Sequence, residues 1–351
     1  MFSGDRISLT GSNSHLALVR PPGKGAPRLE RVGKLAALPG DFVCRTLIAG
    51  VCGTDLQILR GVREDPARVL GHEGVAVVEE VAAKADQHWL GATIAVNPTP
   101  GCGPVELGHT LDGMMQQRFL VPARWRSQVV PSPTELAADL AILAEPLASV
   151  LTCGGILKQV AEPIRVLAVG QGTIGQLLRI ALGTVCASVR DVVVTGTKGT
   201  AGIEHGAFDT VILCSSRQDV AAALTIGLDA LCNGGILHLF GGLPSEFRDP
   251  RLPGVNLSEI RARNTGGRVG WPLTEQCQTI GQKRVSITGH RGCSNATVTR
   301  AMLDLSARPD TYRPLLTIMA DPEEAIRTLR DAVGNPPVRS WTKLGIDFRR
   351  W

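Results

Sequence analysis

Aromatic side chains are scarce in this chain: seven Phe, five Trp and one Tyr among 351 residues. Glycine and proline are plentiful, at 40 and 22, a balance that implies many tight turns and strand–helix junctions. Long apolar runs are also missing. No uncharged stretch reaches the roughly 18 residues of a membrane span. Residues 1–10 carry Asp5 and Arg6 and hold no sustained apolar segment, so no signal peptide is expected. The nine cysteines, at 44, 52, 102, 153, 186, 214, 232, 277 and 293, form no close pairs. That spacing excludes a disulfide scaffold and leads us to expect reduced thiols in a cytoplasm. A dense basic stripe is absent as well. The net charge is +5, and the thickest arginine cluster (Arg248, Arg251, Arg261, Arg263) is broken by Asp249 and Glu259. A nucleic-acid surface would need more, so no nucleic-acid partner is expected.

What the chain does have is two textures. Up to about Pro131 it reads as an irregular, mostly β region, with strands expected at 42–49, 74–81 and 92–96. Residues 137–158 have helical character, with interruptions expected at Pro146 and at Gly154-Gly155. From Ile164 strands alternate with helices: 164–169, 192–194, 208–214 and 235–240 read as strands, and 176–182 as an apolar helix. Such alternation indicates a parallel, doubly wound sheet. A helix at 296–306 and a last strand at 342–347 complete the pattern.

The strand at 164–169 runs directly into Gly170-Gln171-Gly172-Thr173-Ile174-Gly175 and then a helix. In that context a Gly-x-Gly-x-x-Gly loop binds a dinucleotide. Gly170 allows the tight turn, Gly172 lets the pyrophosphate approach the backbone, and Gly175 lets helix and strand pack closely. The second strand ends in Thr195-Gly196-Thr197-Lys198, without the carboxylate that an NAD site usually places there. Nothing would repel a 2′-phosphate, and Lys198 could neutralise one, which favours NADP over NAD. Only residues 199–207 separate Lys198 from the next strand, too short a stretch for the usual helix–strand–helix excursion. The sheet is therefore expected to lack a strand.

Cys52-Gly53-Thr54-Asp55, then Gly71-His72-Glu73, then Glu145-Pro146-Leu147-Ala148 supply a thiolate, an imidazole and carboxylates. These are the ligand types of one catalytic zinc rather than of a closed structural site. Cys52 is the softest ligand offered. His72 and Glu73 are adjacent, and neighbours on a regular strand point to opposite faces, so both can reach one metal only through a local bend. Gly71 and Gly74 flank the pair and permit one. Glu145 also stands where a carboxylate can cap a helix.

Taken together, and in this order, these motifs resemble the zinc-dependent medium-chain dehydrogenase/reductase family, particularly its polyol and threonine dehydrogenase branch. Gly61 and Ser286-Ile287-Thr288-Gly289 extend the resemblance over nearly the whole chain. It implies an α/β architecture with a GroES-like, mostly-β catalytic domain from residues 1–152 and 291–351. A Rossmann dinucleotide-binding domain at 153–290 would be inserted in it. The implied activity interconverts a secondary alcohol, of polyol, sugar or cyclitol type, and its ketone, in a homodimer or homotetramer. Zinc would be held by Cys52 and His72, with Glu145 ligating it directly or holding the zinc-bound water, and with Glu73 a ligand in the polyol branch and outside the metal shell in others. Asp55 would accept the second ring N–H of His72, and Thr54 would relay the alcohol proton. The family often carries a second zinc in a lobe of four cysteines; only Cys102 stands in the corresponding stretch, so one zinc is expected. His88, His109 and His290 play no part in this scheme and read as surface or loop residues, with His290 near enough to line the cleft. Two other readings stay open: a zinc-free reductase of an activated double bond on the same scaffold, and a non-enzymatic cofactor-binding protein.

Overall fold

The structure, a computed structural model, describes residues 14–81, 83–99, 107–198, 202–268, 270, 272–279, 281–334, 338 and 341–351. Cys102 lies outside them. Seven strands come first: β1 (Ser14–Val19), β2 (Arg28–Gly33), β3 (Phe42–Val51), β4 (Glu73–Val81), β5 (Thr93–Val96), β6 (Arg118–Val121) and β7 (Val129–Pro131). Six follow after a long helix: β8 (Arg165–Val169), β9 (Asp191–Thr195), β10 (Phe208–Leu213), β11 (Leu231–Leu239), β12 (Glu275–Gln278) and β13 (Arg284–Gly289). β14 (Leu316–Ala320) and β15 (Lys343–Asp347) close the chain.

These strands form two large sheets and a small one. The first, ordered β14-β15-β3-β4-β5-β7 with β6 also on β3, joins both ends of the sequence. Its seam is antiparallel, with Leu344 opposite Val51 and Ile346 opposite Ala49. β1 and β2 pair with each other, and β1 also bridges to Gln116 through Ala17 and to Val69 through Val19. The second sheet, ordered β12-β13-β11-β10-β8-β9, is parallel except at β12. Its near-continuous apolar strands, such as fully enclosed Val166, Leu167, Ala168 and Val169, belong to a sheet covered on both faces. Among the described residues the sheet ends at β9, and no strand falls at 202–207, the described part of the shortened stretch.

The helix Ala144–Val160 lies between the sheets and packs on Thr173–Val185 and Asn295–Ala307. Its expected interruptions do not occur. Pro146 sits in the first turn, where the missing N–H has no helical acceptor to lose. Gly154 is retained because a Cβ there would lie 2.9 Å from Cβ of Val185, so the residue sets how closely the two helices approach. The break instead falls just before, after the short helix Ala138–Ala141. Leu147, Val150, Cys153 and Leu157 are completely enclosed along this helix. At roughly 1.5–3 kcal/mol for each large aliphatic side chain, that burial fixes the floor of the cleft between the sheets. No helix among the described residues is long and apolar enough to cross a membrane.

Candidate active site

Three short segments converge on the metal-type residues. β3 ends at Val51, and the next residues turn into the helix Gly53–Leu59, with Cys52 at its N-cap. The Cys52 N–H donates to Asp55 Oδ2 at 2.7 Å, so Asp55 holds the helix start by its own side chain. Thr54 Oγ1 lies 3.8 Å from Cys52 Sγ. The second segment bends where expected. Gly71 has φ +99°, a conformation that L side chains avoid, and a Cβ there would strike Met115 Cγ at 2.8 Å. Beyond it His72 precedes the strand and Glu73 opens β4. Gly74 contributes close approach rather than the bend, since a Cβ would lie 2.5 Å from the Ile48 carbonyl oxygen.

The result is a group in which one ligand atom each of Cys52, His72 and Glu73 lies within 4.8 Å of the others. A sulfur, a nitrogen and an oxygen at that spacing fit a zinc ion. His72 and Glu73 are buried, at 6% and 3% exposure. Glu145 lines the same cleft but stands outside that group; its Oε1 accepts a hydrogen bond from Ser149 Oγ at 3.3 Å, one turn along its helix. Asp55 does not make the expected hydrogen bond to His72. His72 Nδ1 and Asp55 Oδ1 face each other at 3.9 Å, both enclosed and without a hydrogen-bond partner, while the capping bond to Cys52 engages the other carboxylate oxygen. Burial pushes the Cys52 thiol up, the Asp55 charge adds to this, and Lys343 opposes it.

Lys343, read from the sequence only as part of the last strand, belongs to this group. It is 1% exposed, forms an ion pair with Glu73 Oε2, and donates to the Val51 carbonyl at 3.2 Å. Burial lowers its pKa to about 8, against the raising influence of Cys52 and Asp55. His109, expected at the surface or in a loop, lies in a turn, yet it is 4% exposed and its ring lies 4.7 Å from that of His72. His290 is likewise buried, and its Nδ1 is 2.9 Å from His238 Nε2. Burial first, with His290 and Arg261 adding to it, drives the His238 pKa well down; His290 falls to about 3 through burial and then Arg261. Both rings are therefore neutral near pH 7. His88 alone of the three is exposed, as expected. No local signal marks Lys343, His109 or His238, since each arrives from a distant part of the chain.

Across the cleft lies the glycine loop. Gly170 has φ +145°, and a Cβ there would sit 2.6 Å from the Cys214 main chain. Gly172 caps the helix Thr173–Val185 and has open space where a Cβ would project. A Cβ on Gly175 would come within 2.0 Å of the Gly170 carbonyl oxygen. The turn, the open approach and the close helix contact are thus all present, and the helix N-terminus offers unpaired N–H groups to an anion. Thr173 Oγ1 donates to the Thr342 carbonyl at 2.8 Å, tying the loop to the chain just ahead of Lys343. Gln171, Ile174, Thr197 and Lys198 line the same cleft, whose volume is about 560 Å³ and which runs unbroken to Cys52, His72 and Glu73.

Residues 38–134 match the alcohol dehydrogenase GroES-like domain. The starvation-sensing protein RspB of Escherichia coli is 31% identical over 157 residues, a stretch that is 39% of this chain and 44% of that protein. Two solved structures share the fold over nearly their whole length. An alcohol dehydrogenase of Escherichia coli in complex with NADH has a TM-score of 0.67 at 19% identity, covering 95% of this chain and 100% of the other. The L-idonate 5-dehydrogenase of Escherichia coli has a TM-score of 0.64 at 19% identity, covering 95% and 98%.

Proposed function

We propose that this chain, which carries an alcohol dehydrogenase GroES-like domain in a medium-chain dehydrogenase fold, is a zinc-dependent, NAD(P)-linked oxidoreductase. It interconverts a secondary alcohol of polyol, sugar or cyclitol type and its ketone. The observation that carries this reading is one cleft holding Cys52, His72 and Glu73 at one end and the 170–175 glycine loop at the other. Such a cleft brings a hydride donor or acceptor against a substrate oxygen. The L-idonate enzyme of the same fold acts on a polyhydroxylated substrate, which supports the polyol class.

The chain's own residues would divide the work. Cys52, His72 and Glu73 would hold one zinc, with Glu145 lining the same cleft; when bound, that ion would supply Lewis acidity toward the alcohol oxygen. In the oxidative direction a bound nicotinamide would supply the acceptor for the hydride of the alcohol C–H, and Thr54 would carry away the hydroxyl proton. The glycine loop and the N–H groups of the helix at Thr173 orient the pyrophosphate. Lys198 neutralises the 2′-phosphate, which makes NADP the preferred cofactor. Residues 153–290 form the cofactor domain in this reading, and the rest of the chain forms the catalytic one.

The test is a panel of polyols, sugars and aminocyclitols assayed with both oxidised cofactors, in wild type and Cys52→Ser. We expect wild-type zinc near one per chain and a loss of both zinc and turnover in the variant, with turnover falling by about 1000-fold or more. Full activity in a zinc-free Cys52→Ser protein would sink the metal reading.

A further inference from the structure

The charge balance of the metal-type group is unusual. Cys52, Asp55, Glu73 and Glu145 are acidic side chains, and the basic one built among them is Lys343, which arrives from β15. Its position is prepared by the fold. A Cβ on Gly50 would lie 2.9 Å from Lys343 Cε and 3.1 Å from Nζ, so the absent side chain at Gly50 is what gives the lysine stem its path. The ammonium then reaches the Val51 carbonyl and one carboxylate oxygen of Glu73, Oε2. The ammonium engages Oε2 and not Oε1, and Glu73 lines the cleft.

We propose that Lys343 is a positioning residue that claims Oε2 of Glu73, limits Glu73 to one metal bond through Oε1, and so keeps a coordination position open for substrate. The inference rests on the zinc reading above. A carboxylate with both oxygens free can chelate and fill the position that a catalytic site leaves open. A carboxylate with one oxygen held by an ammonium cannot. Lys343 also offsets one of the two negative charges that Cys52 and Glu73 bring to the metal, so the ion keeps more of its pull on a neutral alcohol. This is the role of an outer partner that orients and tunes a ligand.

The experiment compares wild type with Lys343→Met, which keeps the stem and removes the charge. Readouts are zinc content, zinc affinity, the visible absorption of the cobalt-substituted protein, and kcat and KM separately. We expect Lys343→Met to retain one zinc per chain with undiminished affinity, because a repelling cation is gone. Its cobalt bands should weaken as Glu73 chelates, and kcat should fall about 10–100-fold with little change in KM. Loss of zinc in parallel with activity would mark Lys343 as merely structural and overturn the proposal; so would unchanged cobalt bands and kcat. If Lys343→Met does not fold, Lys343→Arg is read in its place. Its planar fork takes both carboxylate oxygens, so zinc retained with altered bands supports the proposal and wild-type bands overturn it. A wild type that binds neither zinc nor cobalt sinks the metal reading itself, whereas a metal-binding wild type with an indifferent variant sinks only the role of Lys343.

Discussion

The two walls of the cleft are made from different parts of the polypeptide. On the metal wall the chemistry is carried by side chains: Cys52, His72, Glu73 and Lys343 come from three separate strand ends and meet in one small group. On the cofactor wall it is carried by main chain: Gly170, Gly172 and Gly175 work by having no side chain at all. The buried polar pairs differ in the same way. The metal wall encloses a charged pair, Lys343 with Glu73, and the wall beyond the cofactor loop encloses a neutral one, His238 with His290. A side-chain site can be rebuilt by exchanging atoms, whereas a main-chain site tolerates no added atom. The charged pair demands its partner; the neutral pair demands that no proton arrive.

The sharpest way to separate the walls is Gly175→Val. Its Cβ would collide with the Gly170 carbonyl oxygen at 2.0 Å and crowd Val194 Cγ1 at 3.0 Å. We expect NADH and NADPH binding, followed by fluorescence titration, to weaken by about 100-fold or more, with overpacking costing about 1–3 kcal/mol of stability. Zinc content should stay near one per chain. A variant that loses zinc and cofactor together would show that the walls are not separable.

The neutral pair gives the next largest effect. The folded pKa of each ring lies below its ordinary value of 6.5. As pH falls below 6.5 the unfolded chain takes up protons that the folded one refuses. The pair's contribution is therefore fully present above that pH and is lost on the way down, for His290 until about pH 3. Each such ring adds a slope of about 1.4 kcal/mol per pH unit in that window. His238→Leu should be less stable at pH 7 yet flatter between pH 6 and 4 in urea titrations. An equally steep variant would mean that the pair is not what acid attacks.

The smallest effect concerns selectivity on the cofactor wall. Lys198 borders the cleft. Removing it in Lys198→Ala should weaken NADPH by about tenfold, or about 1.4 kcal/mol, and leave NADH unchanged, because only one of them carries the 2′-phosphate. Equal losses for the two nucleotides would return Lys198 to the status of a solvated lysine.

Much of this site was legible residue by residue. The loop at 170–175 could be read because steric demands at a turn are local, and Gly170 has the positive φ that the reading required. The Gly71 bend was legible for the same reason. The misreadings share a cause as well. Pro146 looked like a helix breaker because its place in the first turn depends on where the helix begins. His109 and His290 lie in loops, and His290 lines the cleft as expected, but their burial is supplied by segments remote in sequence, as is the 3.9 Å gap that separates Asp55 from His72.

The sequence by itself determined which atoms are available: a thiol, an imidazole and a carboxylate in order, and glycines where the backbone must turn or be approached. These are properties of single residues and their neighbours. Only the tertiary structure decided how the carboxylate is used. Glu73 meets an ammonium 270 residues away, across an antiparallel seam that joins β15 to β3. A contact of that separation is fixed by strand register and by the gap left at Gly50, and no short-range pattern records either.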